Sequence, residues 1–233
     1  MILALDSSTS WLSIALGSAE KVFFHLTHYT QKDHSRWLIK HLSLLQKEFN
    51  WEKDLEAVLV GLGPGSFTGV KIGNIVAKGI AYSLGKPLGG FSTLEVIAHQ
   101  VPERIAQDYE ILLPVIKHKR KEVFWMELSP QFQECCSFPE IQAGPKEEVA
   151  TKYEGRNVLV ITPWVDIAEF LESKGFSFFA PRESLPEARG LIELYRRREN
   201  EAMVNRENIF TLVPFYGSKG GGEGTLFFGR RGF

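Results

Sequence analysis

Two polar segments in the first third of the chain contain residue types that bind an anion. The first is Asp-Ser-Ser-Thr at positions 6–9, directly after an apolar run, and the second is Gly-Leu-Gly-Pro-Gly-Ser-Phe-Thr-Gly at positions 61–69. A glycine-rich loop between a strand and a helix can direct free backbone N–H groups and the positive end of the helix dipole at a phosphate or carboxylate. The candidate contacts for an anion or nucleotide are Asp6, Ser7, Ser8, Gly63, Gly65, Ser66 and Thr68.

The glycine loop also has an explanation that needs no ligand. Gly63 and Gly65 can adopt positive φ in a tight connection. Either Ser66 or Thr68 can cap the helix that follows. The loop is neither a Walker A loop nor a dinucleotide fingerprint, because Lys71 does not follow a glycine and the last glycine of Gly-x-Gly-x-x-Gly is missing. The sequence therefore leaves an anion site and a purely steric role open.

The two segments belong to an alternating series of strands and helices. Apolar runs predict strands at positions 1–5, 11–16, 22–27, 55–61, 88–91, 111–116, 123–128, 131–138, 158–161 and 176–179. Helical spacing predicts helices at positions 34–49, 70–84, 164–173 and 186–198. A capping box of Ser92 and Glu95 starts a further helix. This order predicts mixed sheets with helices on their faces.

Composition limits the class of protein. With 233 residues, 44% hydrophobic and 24% charged, the chain has the make-up of a soluble globular protein. A formal net charge of −1 argues against a stand-alone nucleic-acid binder. The adjacent Cys135 and Cys136 are poorly placed to bridge each other, and the cysteines and histidines lack zinc spacing. Without an apolar run of about 18 residues or a signal-peptide pattern, we expect a cytoplasmic protein that does not contact a membrane.

Two helices of the first half have surfaces suited to another chain. In helix 70–84 and just before it, Gly69, Gly73, Ala77 and Ala81 recur every fourth residue, so they share a face that allows close backbone approach. Helix 34–49 has more bulky apolar residues than one sheet face needs. The predicted partner interface consists of Trp37, Leu38, His41, Leu42, Leu45, Gly73, Ala77 and Ala81. The alternative is that these residues pack inside the chain.

The order of elements resembles the ribonuclease H-like lobe of the actin, sugar-kinase and Hsp70 superfamily. That resemblance implies an α/β fold of two such lobes, with mixed sheets, helices on their faces and a reduced second lobe. The expected units are an N-terminal lobe at 1–102, a C-terminal lobe at 103–216 and a glycine-rich tail at 217–233. In the superfamily an Asp followed by Ser or Thr between the first two strands binds phosphate. Positions 6–9 lack the glycine usual in nucleotide-hydrolysing members.

Longer motifs resemble one family within that superfamily. They are Ile-Leu-Ala-Leu-Asp-Ser-Ser-Thr from position 2, His-Ser from 34, Gly-Pro-Gly-Ser-Phe-Thr-Gly-Val-Lys-Ile-Gly from 63, Ala-Lys-Gly from 77 and Ser-Thr-Leu from 92. Their order and spacing are similar to those of the TsaB (YeaZ) family, most strongly over residues 1–98. The family usually has Asp-Ala-Arg where this chain has Lys-His-Lys at 117–119.

The resemblance implies a non-catalytic partner subunit. Such a subunit pairs with the catalytic paralogue TsaD, works with the ATPase TsaE, and supports threonylcarbamoyl transfer to the adenosine beside the tRNA anticodon. It also implies a homodimer that competes with the heterodimer and contact with tRNA only through the complex. No intrinsic cofactor is implied, and ATP or ADP would lie at the boundary with TsaD.

The alternative function is an enzyme that acts alone, either an ATP-dependent phosphotransferase or a glycopeptidase-like hydrolase. The first needs a positioned carboxylate base and magnesium ligands, and the second needs a histidine pair at an open metal position. His34 and His41 are seven residues apart without an accompanying carboxylate, so surface or capping roles are expected for them. We therefore expect no metal site and no activity of the isolated chain.

Overall fold

Two β-sheets with helices form the structure, which is a computed structural model. It describes residues 1–31, 33–118, 121–131, 140–198 and 203–216. The strand predicted at 131–138, the two cysteines and the glycine-rich tail lie outside the described residues. Within the described part, no helix has both the length and the apolar character needed to cross a membrane.

The first sheet contains most of the predicted N-terminal lobe. Its strands are β1 (Ile2–Asp6), β2 (Trp11–Gly17), β3 (Val22–Tyr29), β4 (Ala57–Gly61) and β5 (Leu88–Phe91). Strand β2 runs antiparallel to β1 and β3, whereas β4 and β5 run parallel to β1. Strands β1 and β4 are buried along their whole length, as expected for strands covered by helices on both faces.

Among the described residues, four helices follow the strands of this lobe. They are α1 (His34–Phe49), α2 (Phe67–Ser83) and α3 (Thr93–Ala98), followed by the short α4 (Glu103–Ala106). Helix α2 packs mainly against β4 and β1, and its neighbour α1 packs against β2. The capping box at the start of α3 is confirmed: Ser92 Oγ accepts the Leu94 N–H at 3.2 Å, and Glu95 accepts the Ser92 N–H at 3.1 Å.

The second sheet forms a smaller lobe, so the predicted α/β fold with a reduced second lobe is confirmed. Its strands are β6 (Ile111–Lys117), β7 (Glu122–Trp125), β8 (Gln142–Pro145), β9 (Val158–Ile161) and β10 (Ser177–Phe179), in the order β10-β9-β6-β7-β8. Helices α5 (Lys146–Lys152) and α6 (Val165–Glu172) accompany it. A separate apolar cluster that includes Trp125, Tyr153 and Val160 fills this lobe.

The chain returns to the first lobe after residue 187, so residues 103–216 do not form one lobe. Helix α7 (Ala188–Arg197) packs against β1, β2 and α3, on the sheet face opposite α1 and α2. Its Leu191, Ile192 and Leu194 are buried there, and the Ala188 N–H donates to Ser13 Oγ at 2.8 Å. Strand β11 (Met203–Val204) then pairs with β5 as the sixth strand of the first sheet.

The small-residue face of α2 packs inward, which corrects the predicted partner interface. A Cβ added at Gly73 would overlap Ser7 Oγ, and one at Gly69 would overlap the Ser7 carbonyl oxygen. Small residues are needed because the helix lies directly on the turn after β1. The residues of the predicted interface that lie in the chain's own core are Leu38, Leu42, Leu45, Gly73, Ala77 and Ala81. Trp37 and His41 are half-buried.

Candidate functional site

Asp6, at the end of β1, is enclosed by its own chain. Its side chain is fully buried. Asp6 Oδ1 accepts the Ser8 N–H at 2.8 Å and the Ser8 hydroxyl at 2.6 Å, while Thr93 Oγ1 lies 3.3 Å from Asp6 Oδ2. On the side of β4, a Cβ added at Gly61 would overlap the carboxylate. The carboxylate oxygens are therefore engaged by protein groups instead of facing an open site.

Burial dominates the electrostatics of this carboxyl. Removal from water raises the pKa of Asp6 to about 6 from its ordinary 3.8, and the hydrogen bonds from Ser8 and Thr93 partly oppose the rise. Among the described residues, no lysine or arginine forms an ion pair with Asp6. At pH 7 the group is therefore mostly an ionised carboxylate held by neutral donors.

The glycine loop packs directly on the 6–9 turn. Gly63 has φ of +83°, which confirms its predicted positive φ, and its carbonyl accepts the Thr93 N–H at 2.8 Å. The peptide bond between Gly63 and Pro64 is cis. Gly65 does not have positive φ. It is required for a steric reason, because a Cβ there would overlap the Ser8 carbonyl oxygen.

The start of α2 completes the contact between turn and loop. Ser66 is the N-cap, since its hydroxyl accepts the Gly69 N–H at 3.4 Å, and its own N–H donates to the Ser8 carbonyl at 2.6 Å. Ser7 Oγ donates to the Gly69 carbonyl at 2.8 Å. Thr68 lies inside the helix and is exposed, so it is not the cap.

These contacts join the residues of the predicted anion site to each other. The structure brings Asp6, Ser7, Ser8, Gly63 and Gly65 together, as the sequence predicted, and they form hydrogen bonds and close contacts within the chain. Ser66 and Thr68 face solvent beside them. We call this packed assembly the turn–loop contact. Its geometry supports a structural role.

The two histidines considered as metal ligands bond to other groups. His34 is buried, and its Nδ1 lies 2.7 Å from Thr30 Oγ1. His41 Nε2 lies 3.1 Å from His28 Nδ1, and the His41 ring stacks on Trp37. Burial lowers the pKa of both His34 and His41. In the described ranges, no group of three or more His, Cys, Asp or Glu side chains could hold a metal ion.

The outer sides of α1 and α2 form an apolar surface, which we call the helical face. Its exposed large apolar residues are Ile39 and Leu44 on α1 and Phe67, Ile75 and Tyr82 on α2. The surface extends onto the segment that follows β11, where Phe210 contacts Tyr82 and Tyr216 contacts Phe67, with ring centroids 5.8 and 4.9 Å apart. Exposed apolar groups concentrated on one side of a protein are typical of a binding surface.

The interface predicted from the sequence and the helical face lie on different sides of these helices. The prediction counted Ile39 and Leu44 among an excess of bulky residues but did not select the outer residues of α2. The signal was present, because Ile75 and Tyr82 are spaced seven residues apart and therefore share a helix side away from Gly73 and Ala77.

Two further clusters of ionisable groups lie between α3 and α7. Arg198 donates to Glu95 at 2.6 Å in a buried ion pair. Beside it lies a cleft between the end of α3 and α7, lined by His99, Gln100, Val101, Pro102, Glu103, Glu193 and Arg197. Its side chains bond to each other: His99 Nε2 lies 2.7 Å from Glu193, and Arg197 forms an ion pair with Glu103 at 3.0 Å.

The basic segment that replaces Asp-Ala-Arg is described only in part. Lys117 Nζ lies 2.7 Å from Asp166 Oδ2, which ties the end of β6 to α6. His118 packs on Phe124, with ring centroids 4.2 Å apart. Lys119 and Arg120 lie outside the described residues.

Comparison with known proteins identifies the family. A family model described as "TsaD: tRNA N6-adenosine threonylcarbamoyltransferase" matches residues 27–155, more than half of the chain. The tRNA threonylcarbamoyladenosine biosynthesis protein TsaB of Bacillus subtilis is 41% identical over 98 residues, 42% of this chain and 43% of that protein. The TsaB protein of Escherichia coli is 27% identical over 217 residues, 90% of this chain and 93% of that protein. The chain belongs to this family, in its TsaB (YeaZ) branch.

Solved structures agree with the fold of a TsaB-family protein. "YeaZ from Pseudomonas aeruginosa" superposes with a TM-score of 0.68 at 23% identity, covering 92% of this chain and 98% of that one. A second P. aeruginosa structure, titled as an uncharacterized protein with similarity to peptidase YEAZ, gives a TM-score of 0.70 at 24% identity. Both confirm the two-lobe fold. The Bacillus match spans less than half of that relative, and the Escherichia match spans nearly all of it.

Proposed function

We propose that this TsaB-family chain takes part in tRNA threonylcarbamoyladenosine biosynthesis as a non-catalytic partner of TsaD, together with the ATPase TsaE. The names of its Bacillus and Escherichia relatives support the pathway. The turn–loop contact is the observation that supports a non-catalytic role, because in it the chain's own groups engage the Asp-Ser-Ser-Thr turn that resembles the phosphate-binding turn of the superfamily.

A phosphotransferase of this fold needs a carboxylate that faces its substrate and binds magnesium. Asp6 meets neither need, since Ser8, Thr93 and Gly61 enclose it. A metallohydrolase needs histidines around an open metal position. His34 and His41 lie about two turns apart on α1 and instead bond to Thr30 and His28. We therefore assign the chemistry of the pathway to TsaD and TsaE.

The helical face is the surface we propose for TsaD. Its outer residues, such as Ile75 and Tyr82, would be withdrawn from water by a partner, at about 25 cal/mol for each Å² buried. A second copy of the chain could cover the same surface in a two-fold dimer, so homodimer and heterodimer would compete for it. ATP or ADP, if used, would bind at the boundary with TsaD. Contact with tRNA would occur through the complex, consistent with the net charge of −1.

Reconstitution tests the proposed function. Threonylcarbamoyl transfer to tRNA is measured with cognate TsaD and TsaE, with and without this chain, and with this chain alone. We expect transfer only when all three proteins are present. Equal transfer without the chain would contradict a required subunit. Transfer or ATP hydrolysis by the chain alone, abolished by Asp6→Ala, would contradict the non-catalytic role.

A further inference from the structure

Charge is distributed unevenly over the two helices of the helical face. Helix α2 contains Lys71 and Lys78 and no carboxylate. Helix α1 contains Arg36, Lys40 and Lys47 and the single carboxylate Glu48. The whole chain has 27 lysines and arginines against 28 aspartates and glutamates, so five cations against one carboxylate is a local excess.

These cations are not neutralised by the chain itself. Among the described residues, none of the five forms an ion pair. Arg36 and Lys40 lie over the Trp37 ring, 5.9 and 4.6 Å from its centroid. Lys78 is half-buried, and burial lowers its pKa without an opposing contribution from a carboxylate. The charges remain available to a partner.

The cations and the exposed apolar residues share one side of the helices. Lys71 precedes Ile75 by four residues, and Lys78 precedes Tyr82 by four, spacings that place each pair next to one another on a helix. On α1, Lys40 precedes the exposed Leu44 by four residues in the same way. A partner that covers Ile75 and Tyr82 must therefore also remove water from nearby ammonium groups. Desolvation of a cation is unfavourable unless a carboxylate pairs with it.

We propose that the helical face selects a partner whose counter-surface is apolar and acidic, and that it disfavours a second copy of this chain. This inference rests on the proposed function, which assigns the face to a partner. In a two-fold dimer the same cations occur on both sides of the interface, and like charges brought together oppose association. A partner with carboxylates opposite Lys71 and Lys78 forms ion pairs instead. The charge pattern therefore shifts the competition toward the heterodimer.

Salt dependence of the unaltered chain is the first test. Association with cognate TsaD and with itself is measured by sedimentation at about 50 and 500 mM NaCl, where the Debye length falls from roughly 14 to 4 Å. We expect the affinity for TsaD to fall with salt, because attraction is screened, and self-association to rise, because repulsion is screened. Opposite trends, or no trend in either, overturn the inference.

Charge reversal is the second test. In the double variant Lys40→Glu and Lys71→Glu, two attractions become repulsions, so we expect about a tenfold loss of affinity for TsaD at low salt. Mixed with the unaltered chain, the variant should form dimers more readily than either does alone. The control is Lys174→Glu with Arg182→Glu, exposed residues outside α1 and α2, which should change neither measurement. The single Lys71→Glu variant repeats the test with half the effect if the double variant is unfolded by circular dichroism.

The outcomes separate the two proposals. If the unaltered chain binds TsaD but neither salt nor charge reversal changes its affinity, the selection by charge is wrong and the partner role stands. If the unaltered chain does not bind TsaD at all, the partner role and the selection by charge are both wrong.

Discussion

Asp6 shows how burial determines the behaviour of a single residue. Its folded pKa of about 6 lies above its ordinary 3.8, so the protonated form is the one the fold favours. The stabilisation that this group provides is fully present below about pH 4 and is lost as the pH rises through 6. A difference of about two between the folded and the ordinary pKa corresponds to about 3 kcal/mol in the free energy of unfolding.

We therefore predict a pH-dependent effect of Asp6→Asn. The amide is neutral at every pH and keeps an oxygen to accept from Ser8. As Asp6 ionises between pH 4 and pH 8, the parent loses up to about 3 kcal/mol of stability, and the variant does not. The free energy of unfolding of the variant minus that of the parent should therefore rise by that amount over this range. Urea unfolding of both proteins across that range measures the difference. If the two stability curves run parallel, the carboxyl is not held in its buried, shifted state.

The sequence indicated that residues 6–9 and 61–69 come together, but not whether they bind an anion or each other. Strands β1 and β4 are parallel neighbours, so the segments that follow them meet at one edge of the sheet. The residue types of these two segments are compatible both with an anion site and with a contact in which the segments bond only to each other. The difference lies in whether the Gly65 backbone touches the Ser8 carbonyl, a distance that spacing along the chain does not determine.

The two interior glycines of α2 differ in their surroundings, although each lies in the same helix. A Cβ at Gly73 would overlap Ser7 Oγ, whereas a Cβ at Gly79 would have nothing within 4 Å. Alanine is favoured over glycine in a helix by about 1 kcal/mol. Gly79→Ala should therefore stabilise the protein by roughly that amount.

We predict the opposite for Gly73→Ala, because the added methyl group must displace the turn after β1. The expected loss is about 1–3 kcal/mol, the range found when a packed core receives an extra carbon. Thermal unfolding of the two variants side by side measures this contrast, with Gly79→Ala as the matched control. Equal shifts in both variants would mean that α2 does not press on the turn.

Helix positions were predictable because hydrophobic spacing is local. Helix α1 has the predicted limits, and α2 begins three residues before the predicted start, since Ser66 and not Thr68 is the cap. The sequence did not predict what packs against the small-residue face of α2. Periodicity shows that Gly69, Gly73 and Ala77 share a face, but it does not show whether a partner or the chain's own turn lies against it.

At the scale of the whole molecule, the chain leaves the first lobe at α4 and returns to it with α7 and β11. Apolar residues such as Leu191 and Leu194 indicate that α7 buries one side, but they do not indicate which sheet receives it. The return covers one face of the first sheet and leaves the helical face outside α1 and α2 on the other. That arrangement places the exposed apolar groups and the excess cations on a single side of the molecule.

The central claim is that this side of the molecule binds TsaD. Ile75 is 59% exposed on the helical face, and Val165, at the start of α6 in the second lobe, is 56% exposed. Arginine at either position should leave the fold intact, because both side chains already face solvent. The comparison of these two substitutions therefore separates an interface from general surface damage.

Titration of each variant with cognate TsaD, followed by calorimetry, is the most direct measurement. We predict that Ile75→Arg weakens binding by about a hundredfold or more, since a charge buried without a partner against the apolar part of the counter-surface costs about 3 kcal/mol. Val165→Arg should bind with the affinity of the parent. If Ile75→Arg is folded and binds TsaD as tightly as Val165→Arg does, the helical face is not the surface that binds TsaD.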